Sequence, residues 1–167
     1  MHKYWNVQNH KMISNNAAND YFQNEVLPTV SEFLGDKTDL RRGRIAAIIL
    51  YHMNDYAKES GMGTPCAALV GSAKLMFEVV RAAANASKHY NLKIPHIASK
   101  AEQIISEDNP GMFTAPFGTG VFAEANEVHL LLDEDKRSQY DGVKSVNLAE
   151  AILYMRDFWG NQFTQLS

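Results

Sequence analysis

The segment from Arg41 to Asp55 sorts its side chains onto two faces at helical spacing, and any fold of this chain has to bury one of them. At 100° per residue, Arg41, Arg44, Tyr51, His52 and Asp55 fall within one sector of roughly 100°. Ile45, Ala46, Ile49, Leu50 and Met53 take the opposite side, and Ile48 lies within the polar sector. A second segment repeats the arrangement: Lys74, Glu78, Arg81, Asn85, Lys88 and His89 share another sector of about 100°, with Ala82, Ala83 and Ala86 elsewhere on the helix. Alanines let a neighbouring helix approach closely. Two long amphipathic helices of this kind predict a helical bundle, because each needs a partner to cover its apolar side.

The residues between the periodic stretches act as punctuation. A first helix is expected from about Ala17 to Leu34, with Phe22, Val26, Val30, Phe33 and Leu34 inward and Gly35 ending it. Pro28 marks a kink or a restart within it. Either Asp36 or Thr38 caps the second helix, which runs to about Glu59, and Gly61 stops it. Thr64-Pro65 is a start signal for the third, since the hydroxyl accepts an orphan amide and proline lacks only a donor that the first turn does not use. That helix is expected to end near Tyr90.

Beyond Ile94-Pro95 the pattern changes. Gln103 to Ser106, Val121 to Ala123 and Val128 to Leu132 are short runs between turn-rich segments such as Asn109-Pro110-Gly111 and Phe117-Gly118-Thr119-Gly120. They predict a small antiparallel meander, with Asp141-Gly142 turning the chain into a last strand at Val143 to Val146; Ala98 to Ile105 reads alternatively as helix. A closing helix opens at Asn147-Leu148-Ala149-Glu150, a capping-box pattern, and carries the apolar seam Leu148, Ile152, Met155 and Trp159, with Phe158 beside it. The expected fold is therefore mainly α, a bundle of about four principal helices with a β meander at about residues 103–146, all within one domain spanning 1–167.

Composition narrows the functional classes. The chain has 167 residues and a net charge of −3, so no bulk positive field holds a nucleic-acid backbone, and any such binding rests on a local patch. Cys66 is the one cysteine, which excludes an internal disulfide and a cysteine-based zinc site and suits a reducing compartment. The polar start Met1 to Asn6 lacks the apolar core of a signal peptide, and the apolar stretches Ile45 to Tyr51 and Cys66 to Val70 are too short to span a bilayer. A cytoplasmic protein without membrane contact is expected.

The polar stripes hold the candidate chemistry. His52 and Asp55 are three apart, so the carboxylate can orient the imidazole or raise its pKa, and Arg44 lies three turns back from Asp55 on nearly the same line. Arg44, His52 and Asp55 form a candidate binding set; Arg81, Asn85, Lys88 and His89 form a second. Set against both is a structural reading, in which the third-helix sector is a wet face supported by pairs such as Lys74 with Glu78, and His52–Asp55 is a helix-end contact. If the two helices are antiparallel neighbours, His52 and Asp55 lie nearer the start of the third helix than Lys88 and His89, and the two histidines do not meet within one chain unless the helices cross obliquely or a dimer brings the ends together. No His-Glu-x-x-His pattern is present and neither helix carries a second His at i+4, so a metal held by His52, Asp55 and His89 is the unsupported alternative, and neither a metal nor a cofactor is expected. Gly118-Thr119-Gly120 lacks the Lys-Ser/Thr ending of a phosphate loop and reads as a hairpin turn. Cys66 stands at a helix start, where a thiolate is favoured, but a small buried residue is the plainer role.

Three elements taken together carry a family resemblance: Arg44-Ile-Ala-Ala-Ile-Ile-Leu-Tyr-His52-Met-Asn-Asp55, then Ala84-Asn85-Ala86-Ser87-Lys88-His89, then Phe158-Trp159 after a strand-rich insert. In this order, over about residues 40–160, the chain resembles a group of bacterial and phage-type helical proteins, and the layout is similar to the HEPN superfamily. The resemblance implies a helical bundle that often dimerises, a binding or regulatory role in host and mobile-element conflict, and RNA or a nucleotide as partner. Active members cleave RNA without metal, using an Arg commonly followed by a polar residue and a His after four to six intervening positions. Here Arg81 is followed by Ala82, and seven residues separate it from His89. The alternative that the resemblance implies is a metal-independent ribonuclease with His89 as proton-transfer group, Lys88 and Arg81 as phosphate contacts and Asn85 as positioner.

Overall fold

Three helices pack through one another's small and apolar residues, and a fourth closes the core. The computed structural model describes residues 17–89, 96–106 and 127–164. The first helix is continuous from residue 17, passes through a π-helical stretch at Phe22–Val26, and continues as α1, Leu27–Gly35. The π stretch stands where Pro28 follows: Leu27 N–H bonds to Phe22 O, so the ladder widens just before the residue that has no amide to give. Phe22, Val26, Val30 and Phe33 are all buried, as the periodicity requires.

α2 spans Leu40–Glu59, and its cap corrects the expectation from sequence. Asp39, not Asp36 or Thr38, is the N-cap, its carboxylate accepting from Arg42 N at 3.0 Å. Asp36 instead accepts from the Thr38 hydroxyl at 2.7 Å, which ties both rival residues into the turn before the helix. Gly61 stops the chain beyond Ser60 with φ +78°. The Thr64-Pro65 start opens only a 3-10 turn, Pro65–Ala68, and Thr64 makes no side-chain cap; α3 begins later and spans Gly71–Lys88. Gly71 there has φ +57°, a left-handed bend that turns the chain into the helix.

The sheet is small and antiparallel, in the order β1 (Ile104–Ser106), β2 (Val128–Leu131), β3 (Ser145–Asn147). Ile104 pairs with Leu130 and Leu130 with Val146, all three pointing at the core. Of the two readings of Ala98 to Ile105, each holds in part: Ala101–Gln103 is a 3-10 turn that leads into β1. A short helix, α4 (Glu134–Arg137), and a 3-10 turn, Ser138–Tyr140, connect β2 to β3, and Asp141 and Gly142 make the expected turn with φ of 51° and 79°. The strand at Val121 to Ala123, the turns at 109–111 and 117–120, and the reading of Met1 to Asn6 lie outside the described residues.

α5, Leu148–Thr164, begins directly after β3. Asn147 Oδ1 accepts from Ala149 N at 2.8 Å and Glu150 N at 3.2 Å. Leu148, Ile152, Met155 and Trp159 are all at most 1% exposed and join the described buried residues in one contiguous cluster with α1, α2, α3 and the sheet. The close approach is made possible by Ala46, Ala47, Ala82, Ala83, Ala84, Ala86 and Gly43, all buried. A Cβ on Gly43 would stand 3.0 Å from the Phe33 ring and 3.2 Å from Leu148. The fold is thus mainly α with a small antiparallel meander. Among the described residues no helix is long and apolar enough to cross a membrane.

Candidate functional site

α2 and α3 cross so that the polar stripe of one lies against the polar stripe of the other. Tyr51, in the second half of α2, packs its ring 6.3 Å from that of Phe77, and burial raises its hydroxyl pKa. One residue on, His52 Nε2 lies 2.6 Å from Lys88 Nζ, at the far end of α3. A short antiparallel hairpin would have put His52 beside the first turns of α3. The segment 60–70, with its 3-10 turn, lets α3 start elsewhere, and the two stripes meet within one chain.

The contact sets the protonation of His52. An ammonium has only donors, so Lys88 donates to Nε2, and the imidazole is neutral with its proton on Nδ1. Burial lowers the His52 pKa and Lys88 lowers it further; Asp55 pulls the other way without reversing the result. The expected carboxylate–imidazole pair therefore gives way to a lysine–imidazole pair.

The centre of the α3 stripe is not a wet face. Glu78 is 4% exposed and bridges two cations, Arg81 at 2.6 Å and Lys74 at 3.1 Å. Both cations also lie near the Phe77 ring, Lys74 Nζ at 5.3 Å and Arg81 Cζ at 5.9 Å from its centroid. Arg81 Nε is buried and has no hydrogen-bond partner in the structure. One turn on, Asn85 Nδ2 lies 3.2 Å from His96 Nε2. Burial lowers the His96 pKa, the Arg81 charge lowers it further, and Glu78 opposes both. Tyr140, after α4, sits within the field of the same Glu78 and Arg81, its hydroxyl pKa raised by burial first and by Glu78 second. The result is a stripe of Glu78, Arg81, Asn85 and Lys88 faced by Tyr51, His52, His96 and Tyr140, in which both imidazoles stand beside a cation.

Not every residue singled out from the sequence joins this stripe. Arg44 donates to Ala101 O at 3.0 Å and so holds the 3-10 turn before β1 against α2. Asp55 is exposed and lines a shallow apolar hollow with Ala17, Tyr56, Glu59 and Ser60. His89 is the exposed C-cap of α3, where its amide bonds Asn85 O. Arg44, His52 and Asp55 are therefore dispersed, whereas Arg81, Asn85 and Lys88 stay together. Cys66 is buried, and burial pushes its thiol pKa up to about 12, so the helix-start thiolate does not form.

A second hollow of about 490 Å³ opens between Leu75 and Met76 of α3, the strands β2 and β3, and the start of α5. Its polar wall includes His129, Glu150, Lys37, paired with Glu127 at 3.2 Å, and Asn147, which also bonds Glu127. Among the described residues no group of three His, Cys, Asp or Glu side chains is placed to hold a metal ion.

Sequence reasoning missed His96 and Tyr140. Neither belongs to a periodic element: His96 follows Pro95 outside any helix, and Tyr140 sits in a 3-10 turn. Only the packing of these connections against α3 brings them to the stripe. Comparison with protein-family models, with curated proteins and with solved structures yields no match to the chain.

Proposed function

We propose that the protein is a HEPN-like binding protein of the cytoplasm, whose α2–α3 stripe receives an anionic group of an RNA or a nucleotide. One observation carries this reading: Arg81, anchored by the buried Glu78 while its own side chain stays partly accessible, shares its stripe with the exposed Lys88. A guanidinium fixed in this way is pre-organised for phosphate oxygens, and a second cation nearby adds charge without the cost of bringing the two together. The overall charge of −3 confines the attraction to this patch, so binding is expected to be weak and salt-dependent. Asn85 and Tyr51 supply neutral hydrogen-bonding groups beside it.

The test is fluorescence anisotropy of a short labelled single-stranded RNA, titrated with wild-type protein and with Lys88→Gln. Lys88 is exposed, so the substitution leaves the core intact. Saturable binding that Lys88→Gln weakens supports the reading; equal binding by both proteins, or none, removes it.

Metal-independent cleavage of RNA is a second reading, favoured by the two neutral imidazoles beside cations on the same stripe. In this reading His96 or His52 moves the proton, in place of His89 at the exposed helix end. Incubation of RNA with chelator tests it: identical intact RNA from wild type, His96→Ala, His52→Ala and His89→Ala ends the proposal. A homodimer that sets two stripes across a cleft fits either reading, and light scattering on the purified chain reads it directly.

A further inference from the structure

The hollow of about 490 Å³ lies away from the α2–α3 stripe. Met76, which helps to line it, follows Lys74 by two residues and so stands about 200° around α3 from the first cation of the stripe. Leu75, Met76, Val143 and Val146 give the hollow an apolar side. Its size is that of a small-molecule site, and such sites combine apolar walls with a few placed polar groups.

The polar groups here are fixed by contacts around the rim. Lys37 sits in the turn before α2, and its carbonyl accepts from Val128 N at 3.1 Å, which pins that turn to the first residue of β2. Its ammonium pairs with Glu127, whose side chain is only 12% exposed and also accepts from Asn147 Nδ2. Asn147 Oδ1 in turn holds the amides of Ala149 and Glu150 at the start of α5. An arriving anion would therefore have to draw Lys37 away from a mostly buried carboxylate, and it would find two of the helix amides already taken. Glu150, exposed in the first turn of α5, lines the same hollow and has no ion pair among the described residues.

From this arrangement we infer that the hollow binds a small organic cation, an amine on an alkyl or aryl body, whose ammonium pairs with Glu150 while the body lies on the apolar side. Of the charged side chains that line it, Lys37 answers Glu127, and Glu150 is left over. His129 lines it as well, and an imidazole of ordinary pKa is uncharged at pH 8. The charge that a ligand meets is thus negative. A bound body also shields the ammonium and the carboxylate from part of their water, where a pair is screened less. This site shares no residue with the anion-binding stripe, so either can fail without the other.

The test titrates the full chain, carrying methyl-labelled methionine, with three probes of similar size at pH 8: phenethylammonium, phenethyl alcohol and phenylacetate. The Met76 methyl resonance, assigned through Met76→Leu, reports the hollow directly. Phenethylammonium is expected to shift it saturably and at least about tenfold more tightly than the alcohol, the effect of one charge-assisted contact, while phenylacetate leaves it in place. Glu150→Gln is expected to bring the amine to the affinity of the alcohol. Glu150 is exposed and the Asn147 cap remains in the variant, so the fold is kept, which the circular dichroism of the helices checks. Equal affinity for amine and alcohol, preference for phenylacetate, an amine affinity unchanged by Glu150→Gln, or no shift with any of the three probes overturns the inference.

Discussion

Lys88 Nζ lies 2.6 Å from His52 Nε2, a contact between residues 36 apart in the chain that joins the C-terminal half of α2 to the end of α3. It is a cation against a neutral imidazole, and its stability depends on pH with a definite sign. Burial and Lys88 hold the His52 pKa below its ordinary 6.5, and burial and Arg81 do the same at His96. The unfolded chain therefore binds these protons at a higher pH than the folded one. The stabilisation is present above about pH 6.5 and is lost as the pH falls through the folded-state values. The melting temperature is expected to decline from pH 7.5 to pH 5, and Lys88→Met is expected to shallow that decline by removing the charge that opposes His52 protonation. A steeper decline in the variant would contradict the assignment.

Gly43 is placed for close approach. Replacing it with alanine gains helix propensity of about 1 kcal/mol, but sets a methyl 3.0 Å from a fully buried phenylalanine ring and 3.2 Å from Leu148. Overpacking of this kind costs about 1–3 kcal/mol, so Gly43→Ala is expected to be net destabilising by roughly 1 kcal/mol. Urea unfolding measures it, and an unchanged midpoint would mean that Phe33 moves freely.

Glu78 is the buried member of a three-charge group. Glu78→Gln leaves Arg81 and Lys74 without their carboxylate, and both keep partial access to water, with side-chain exposures of 29% and 37%. The loss is therefore expected to fall below the roughly 3–5 kcal/mol of a fully buried broken pair, at about 1–2 kcal/mol. It should shrink in high salt, which screens the two cations left behind. A double-mutant cycle of Glu78→Gln with Arg81→Gln isolates the pair.

Cys66 is buried, with its thiol pKa at about 12. Thiolate is thus scarce at neutral pH, and the native protein is expected to resist a thiol reagent such as DTNB until it unfolds. Rapid stoichiometric labelling at pH 8 in the absence of denaturant would show that the 3-10 turn Pro65–Ala68 opens on its own.

The helices and their inward faces were legible in the chain because periodicity is a local property. Val30, Phe33, Leu50, Met53, Ile152 and Trp159 stand at positions whose spacing already demanded burial, and every one of them is buried. The closing helix could be read down to its cap, since Asn147 needs only the amides two and three residues ahead. Where several residues could serve one local purpose, the pattern misled: Asp36, Thr38 and Asp39 all suit an N-cap, and the actual direction of the incoming chain selected Asp39. Thr64-Pro65 promised a helix start and yielded a single 3-10 turn, because the chain still had to travel before α3 could pack.

By itself, then, the sequence determined that the long helices form, most of the residues each turns inward, and that Arg81, Asn85 and Lys88 share one line on α3, for these follow from the 3.6-residue turn; Ile45, expected on the apolar side of α2, is exposed instead. Only the tertiary structure decided what meets that line. The crossing of α2 and α3 joins His52 to Lys88, and the packing of two irregular connections brings His96 and Tyr140 to Arg81 and Asn85. Such meetings depend on the direction and length of the links between elements, which no side-chain period encodes.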